Sequence, residues 1–147
     1  MFLALAGCGF APALSTGGPA RGLMGQVRAA DPVDQAGFDF VKQIEARLGR
    51  AEAASYDLSY SIATSSDGVA ITADGATTRY NLTGSVTWTL LQAGQRVAGG
   101  KVDNFASYSA TGSTVAVLAA RADAGRRLMV MLADQVVTAL MAAMARR

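Results

Sequence analysis

Cys8 is the one cysteine in the chain, and its surroundings predict a specific chemistry. The run Leu5-Ala6-Gly7-Cys8 places a leucine three positions before it and small residues directly before it. This is the pattern of a bacterial lipobox, where small residues let a membrane-embedded peptidase reach the peptide bond and the thiol accepts a diacylglycerol. The alternative interpretation is a buried free thiol, which behaves as a small hydrophobe. The position near the start and the apolar lead-in favour lipidation of Cys8.

The segment before Cys8 is an incomplete secretory signal, because residues 1–7 contain no Lys or Arg and form a short apolar run. A complete signal has a charged region followed by roughly 7–15 apolar residues. We therefore expect the true start to lie upstream and interpret residues 1–7 as a remnant of a lipoprotein signal peptide. Residues 8–20 are expected to be the lipidated cysteine and a Pro- and Gly-rich tether. Residues 21–147 suit a single α+β domain.

Side chains for catalysis or metal binding are scarce. The chain has no histidine, which removes Ser-His-Asp and Cys-His catalysis and histidine-ligated metal sites. The acidic residues do not follow EF-hand spacing, and one cysteine cannot form a CxxC pair. The stretch Gly94–Val102 fails as a phosphate loop, because its first glycine is misplaced by one residue and Val102 replaces the required Ser or Thr. We expect no enzymatic activity, cofactor or metal site.

The basic residues have two interpretations. The formal net charge is +2, and the 13 basic residues are too scattered for a nucleic-acid-binding stripe. Arg79, Arg96, Lys101 and Arg121 are interpreted first as solvated charges at strand edges and at a helix start. The alternative is that they contact an anionic headgroup, since Arg presents a planar fork to phosphate.

Two helical segments must position these side chains. Asp34 is predicted to cap a helix that runs to about Leu48, with its core face expected at Phe38, Val41, Ile44 and Leu48. Ser113 or Thr114 is predicted to cap a long final helix, which Gly125 bends or divides. Its most apolar part, 128–144, is short of the roughly 20 residues of a membrane span and contains polar positions, so no transmembrane span is expected.

Four strands are predicted around these helices. They lie within 22–30, 56–62, 80–90 and 96–108. Period-two alternation is clearest in the third strand, where Tyr80 and Trp88 are expected as core anchors and the Ser and Thr residues as an outer row. Asp67-Gly68 and Asp74-Gly75 are predicted turns, and Gly99-Gly100 a bulge or a close backbone approach.

The order β-α-β-β-β-α predicts an α+β two-layer sandwich, in which a four-stranded mixed sheet carries both helices on one face. Strands one and two would be parallel if adjacent, since a helix joins them, and the other pairs antiparallel. The charged fraction of 16% is below the roughly 25% of typical soluble domains. Such a surface is compatible with a protein that buries part of it against a partner.

An ordered set of short motifs resembles the lipopolysaccharide-assembly lipoprotein family LptE. Cys8-Gly9-Phe10, with Pro12 following, is similar to the mature start of that family. Thr78–Leu82 resembles the opening of its third strand, and Phe105–Tyr108 is similar to the next. Ala120–Ala124, with Arg121 inside it, resembles the entry to its final helix.

The resemblance implies a function. Members of the family sit in the outer membrane, plug the large β-barrel translocon LptD, help to assemble it and contact lipopolysaccharide on its way to the cell surface. Cys8 would be the acylated position, and Arg121 lies near the family's basic position for lipopolysaccharide contact. The family's other basic position, in the loop before strand three, falls on Ala73–Ala76, with Arg79 a few residues later. The competing interpretation is a generic periplasm-facing lipoprotein, such as an auxiliary subunit of a lipid-transport ABC system.

Overall fold

The computed structural model describes Gly18 and residues 21–146. After a 3-10 turn at Arg21–Leu23, the elements are β1 (Val27–Ala29), α1 (Gln35–Leu48), β2 (Tyr56–Ile71), β3 (Thr77–Gln92), β4 (Gln95–Ser109) and α2 (Thr114–Ala145). The predicted order of strands and helices is confirmed.

The strands form one mixed sheet in the order β1-β2-β3-β4. β1 pairs with β2 in parallel, whereas the β2–β3 and β3–β4 pairs are antiparallel. The parallel pair needs a crossover connection, and α1 supplies it. Strands β2 to β4 have 15 or 16 residues each, so at about 3.3 Å per residue they span roughly 50 Å.

One face of the sheet carries the core. Even-numbered residues of β3 point to this inner face, and Gly84, Val86, Trp88 and Leu90 are buried there, as the alternation predicts. Trp88 lies between Tyr60 of β2 and Gly100 of β4. A β-carbon at Gly100 would lie only 3.3 Å from the indole ring, which confirms the predicted close approach at this glycine.

Both helices pack on the inner face, and both begin at predicted caps. Asp34 Oδ1 accepts a hydrogen bond from the Gly37 N–H at 2.7 Å, and Ser113 Oγ accepts one from the Ala116 N–H at 3.3 Å. An ion pair of 3.1 Å between Arg47 and Asp134 joins the two helices. The fold is the predicted α+β two-layer sandwich, with α2 continuous through the position of Gly125.

One prediction about the strands is wrong. Asp67-Gly68 is not a turn, because β2 continues through it to Ile71 with small register shifts between Gly68 and Ile71. The pairing with β3 satisfies the backbone there, and that pairing is not visible in a local Asp-Gly signal. Of the two alternatives predicted for Gly99-Gly100, the close approach is observed and the bulge is not. The bulge of β4 lies at Val97, between the pairs Leu90↔Ala98 and Leu91↔Arg96, while both glycines keep regular partners.

The predicted core face of α1 is wrong at Phe38, which is 55% exposed, whereas Phe40 is fully buried. At 3.6 residues per turn, Phe38 lies about 120° around the helix from Ile44, whereas Phe40, Ile44 and Leu48 follow one another at i, i+4 and i+8 on one face. The spacing therefore favours Phe40, and α1 packs on Tyr60 through this residue. Gly37 leaves room for the Tyr60 hydroxyl, 3.3 Å from where a β-carbon would lie, and the Phe40 and Tyr60 rings meet with centroids 4.8 Å apart.

Among residues 21–146, α2 is the one helix whose length and apolar composition would allow it to cross a membrane. Core helices of water-soluble domains share that property. The buried residues of α2 extend from Ala124 to Leu140, and they belong to the same core cluster as the inner face of the sheet and α1. We therefore assign α2 to the core of this domain.

Candidate functional site

A groove lies on the helix-bearing face where the two helices differ in length. α1 has 14 residues and α2 has 32. At 1.5 Å per residue they are about 21 and 48 Å long. α2 therefore matches the length of the sheet, whereas α1 covers only about half of it. The uncovered half lies between the start of α1 and the first half of α2.

This groove, which we call the helix groove, has a volume of about 520 Å³ and mainly apolar walls. Leu82 of β3 and Thr64 of β2 contribute the sheet side. Gly125 of α2 lies above Leu82, where an added β-carbon would be 3.9 Å from the Leu82 side chain. The remaining apolar walls come from Ala36, Leu118, Ala122 and Met129. The helix groove can accept an acyl chain or an apolar side chain.

Two arginines of α2, Arg121 and Arg126, lie at the helix groove, and Asp39 of α1 lies on its other wall. In the described part of the chain, no carboxylate oxygen lies within the 4.0 Å ion-pair distance of Arg121. Arg126 lies 3.3 Å from Asp123. The guanidinium of Arg121 is therefore available to an anion at the groove rim.

Asp123 is the acidic partner of the neighbouring arginines. It accepts a hydrogen bond from Arg127 Nε at 2.9 Å, and this bond is the main reason that the pKa of Asp123 lies below its ordinary value. The positive charges of Arg126 and Arg127 act in the same direction. Arg127 also donates to the Ser107 carbonyl of β4 at 3.2 Å, which ties this part of α2 to the sheet.

The structure places the four basic residues considered in the sequence analysis at different positions on the domain. Arg79, Arg96 and Lys101 lie on the strands and are exposed, whereas Arg121 lies on α2. Arg79 and Thr87, the strand partner of Lys101, are eight positions apart on β3, which is roughly 26 Å at about 3.3 Å per residue. Lys101 pairs with Asp103 at 3.1 Å. Arg121 is thus the one member of this set that lines the helix groove.

The other face of the sheet, which we call the outer face, is the second candidate site. Its residues are mostly small and polar, as predicted from β3. The cross-strand rows include Ser59–Thr89–Gly99, Ser61–Thr87–Lys101, Ala63–Ser85–Asp103 and Ser65–Thr83–Phe105. Phe105 is a large apolar side chain exposed on this face, at 56% exposure. Such a surface can lie against a polar protein wall.

Sequence reasoning missed Arg126 and the helix groove itself. The groove-lining residues Leu118, Ala122, Gly125 and Met129 recur at helical spacing on the predicted final helix. The signal that could have revealed the groove was the difference between the two predicted helix lengths. Cys8, the predicted lipidation site, lies outside the described residues. Between residues 21 and 146, no group of three or more His, Cys, Asp or Glu side chains could hold a metal ion.

Comparison with protein families gives one match over most of the chain. The sequence profile of LptE, described as lipopolysaccharide-assembly, matches residues 25–140. That range includes β1 to β4, α1 and most of α2. A comparison with curated proteins gave no match.

Solved structures share the fold. A candidate lipoprotein from Caulobacter crescentus is 23% identical, with a TM-score of 0.73, and the match covers 88% of this chain and 98% of that one. Rare lipoprotein B from Shewanella oneidensis is 10% identical, with a TM-score of 0.65 and coverage of 82% and 96%. Lipoprotein B from Nitrosomonas europaea is 12% identical, with a TM-score of 0.60 and coverage of 82% and 85%. At these identities the likeness concerns the fold.

Proposed function

This chain belongs to the LptE family of lipopolysaccharide-assembly proteins, and from that membership we propose that it plugs and helps to assemble the outer-membrane barrel LptD. In this role it also contacts lipopolysaccharide during its insertion at the cell surface. The observation that carries the proposal is the family match over residues 25–140, which includes both the helix groove and the outer face. The role is one of binding and assembly rather than catalysis.

A lipid anchor on Cys8 would hold the protein at the periplasmic side of the outer membrane. Residues 1–7 would be removed and residues 8–20 would serve as the tether of the domain at 21–147. Gly9 follows the cysteine, so no aspartate is present to signal retention at the inner membrane. One acyl chain anchors only marginally, whereas several chains anchor stably.

The helix groove supplies the chemistry that a phosphorylated, acylated disaccharide requires. Lipid A presents phosphates beside acyl chains, so its site needs basic groups next to an apolar surface. Arg121 and Arg126 lie at the groove, beside Leu82 and Leu118. Arg79, Arg96 and Lys101 are alternative phosphate contacts on the strands.

The outer face supports the plugging role. The lumen of a large outer-membrane barrel is polar, and a plug must be polar enough to match it and rigid enough to keep its shape. Ser, Thr and Ala residues dominate the outer rows of β2 and β3. The core beneath, anchored by Trp88, holds these long strands to the helices.

The test is purification of the tagged full-length precursor, with a complete signal, from solubilised outer membranes. We expect a very large β-barrel protein to co-purify, and the intact mass to exceed that of the polypeptide from Cys8 onwards by a lipid moiety. Depletion of the protein should lower the amount of the assembled barrel. If depletion leaves every large barrel unchanged and none co-purifies, the plug function is wrong, and a lipid-transport auxiliary subunit becomes the better explanation.

A further inference from the structure

Strand β4 is the last strand of the sheet, and its outer edge is open. Among the described strands it pairs with β3 alone, because the strand order is β1-β2-β3-β4. An edge strand presents a row of unpaired backbone N–H and C=O groups, which is a template for another strand. The β4 edge is regular from Ala98 to Ser109, since its irregularity lies at Val97. Two backbone groups near its end have side-chain partners, because the Phe105 N–H donates to Asn104 Oδ1 and the Ser107 carbonyl accepts from Arg127. A further strand can pair from Ala98 to Ala106 when it replaces the Asn104 side chain as the partner of the Phe105 N–H.

The charges on β4 are self-complementary about Val102. When two copies of β4 run antiparallel with Val102 opposite Val102, Lys101 of each copy lies opposite Asp103 of the other. Both side chains belong to the outer face, are exposed and lie 3.1 Å apart within one chain. Opposite charges that face each other across antiparallel strands stabilise the pairing, whereas like charges destabilise it.

The same register gives the exposed Phe105 a partner. In this arrangement Phe105 lies opposite Gly99 of the second copy, on the outer face. The Arg96 guanidinium lies over Gly99, because an added β-carbon there would overlap it. The Phe105 ring of one copy would therefore cover Gly99 and meet Arg96 of the other copy, an aromatic–cation contact. An aromatic side chain that is 56% exposed in one copy becomes covered in two.

Small side chains on the inner face of β4 leave space for the two copies of α2. The opposed inner pairs are Ala98 with Ala106, Gly100 with Asn104 and Val102 with itself. A shallow groove lies between the β4 edge and α2, where Gln135, Thr138 and Ala142 line the helix side. A two-fold axis perpendicular to the sheet keeps all helices on one face, so these α2 residues face their copies. The short side chains of Thr138 and Ala142 permit the close approach of two helices, whereas Gln135 is the longer residue of this set.

The second open edge, on β2 beyond the end of β1, lacks this complementarity. Its outer row is Ser59, Ser61, Ala63, Ser65 and Asp67. Asp67 is the charged residue in that row, so self-pairing there would bring together no opposite charges. The observations therefore favour β4 as the self-pairing edge.

We propose that two copies of this protein associate through β4, antiparallel about Val102, to form a continuous sheet of eight strands. This association does not depend on the proposed function. It would satisfy the backbone groups of the β4 edge while the protein is free of other partners.

Sedimentation velocity of the full chain with Cys8→Ser, which removes the thiol and the lipid attachment, tests the proposal. We expect a dimer at micromolar concentrations. Lys101→Asp should weaken it by at least about tenfold, because the two-fold axis repeats each like-charge pair. The double reversal Lys101→Asp with Asp103→Lys should restore the dimer. Asp67→Lys, a matched charge reversal on the outer face of β2, should leave it unchanged.

A cysteine at position 102 tests the register. In the Cys8→Ser background, Val102→Cys places two thiols opposite each other at the two-fold axis, and mild oxidation should link the copies covalently. Ser65→Cys, on the exposed part of β2, should remain unlinked. A chain that is monomeric at every concentration overturns the proposal. A dimer that resists Lys101→Asp, or that Val102→Cys does not cross-link, overturns it equally.

Discussion

Arg121 is the residue at which the charged and apolar parts of the helix groove meet. We expect Arg121→Asp to weaken binding of lipopolysaccharide and to leave the circular dichroism spectrum unchanged, because the side chain is exposed and pairs with no described carboxylate. Loss of one charge-assisted contact to phosphate, worth about 1.5–3 kcal/mol, corresponds to roughly 10- to 150-fold in affinity.

Two other arginine variants are compared with Arg121→Asp in the same binding measurement. Arg50→Asp changes an exposed charge near the end of α1, away from the helix groove, and should not affect binding. Arg79→Asp tests the alternative site on β3. Unchanged binding in both Arg79→Asp and Arg121→Asp would remove the two arginines from the site.

Trp88 is the residue whose removal should most affect stability, because it is 4% exposed and packs between Tyr60 and Gly100. We expect Trp88→Ala to lower the free energy of unfolding by about 3–5 kcal/mol, measured by urea denaturation. Trp88→Phe is the matched variant. It should cost less, because it keeps a ring and removes an indole N–H that has no hydrogen-bond partner among the described residues. A loss below about 1 kcal/mol for Trp88→Ala would contradict this packing role.

At the scale of elements, the start of α1 depends on Asp34. We expect Asp34→Ala to cost about 1 kcal/mol of stability, since it removes the acceptor of the Gly37 N–H. The pKa of Tyr60 gives a second measurement. Burial raises that pKa most, and the negative charges of Asp34 and Asp31 raise it further. Ultraviolet titration of Asp34→Ala should therefore show Tyr60 ionising at a lower pH than in the unchanged protein.

Asp31→Ala distinguishes the effect of the Asp34 cap on stability from the effect of negative charge on the Tyr60 pKa. It also removes a negative charge that acts on Tyr60, so it should lower the Tyr60 pKa, but it caps no helix and should leave stability nearly unchanged. Equal loss of stability in the two variants would show that the Asp34 cap contributes nothing specific.

The elements also show what the sequence could predict. The caps Asp34 and Ser113 and the alternation of β3 are local signals, and each was correctly placed. The continuity of β2 through Asp67-Gly68 depends on pairing with β3, so it could not be predicted from local patterns. The choice of Phe40 over Phe38 could have been, because Phe40, Ile44 and Leu48 are spaced one turn apart. For the candidate site, the sequence singled out Arg121, whose role in binding stays a prediction, whereas the helix groove required knowledge of how far α1 extends along the sheet.

At the scale of the whole molecule, the outer face is the surface expected to meet the barrel wall. Thr87 is exposed at its centre, between Ser61 and Lys101. We expect Thr87→Arg to leave the fold intact but to reduce the amount of assembled barrel in cells, because a long charged side chain would prevent close contact. Ala54→Arg, in the exposed loop before β2, is the control and should have no effect. A normal barrel level with Thr87→Arg would place the contact on another surface.

The pairing of β1 with β2 has a consequence for the order in which the chain folds. β3 and β4 are separated by a two-residue turn, whereas Val27 must find Tyr56 across the whole of α1. Contacts between distant positions cost more chain entropy and form more slowly. β1, with three residues, is therefore expected to join the sheet after β2 to β4 have formed, although it emerges first during synthesis. A pull from the N-terminal side would then load the strand with the fewest pairings, which can yield while the three long strands stay joined.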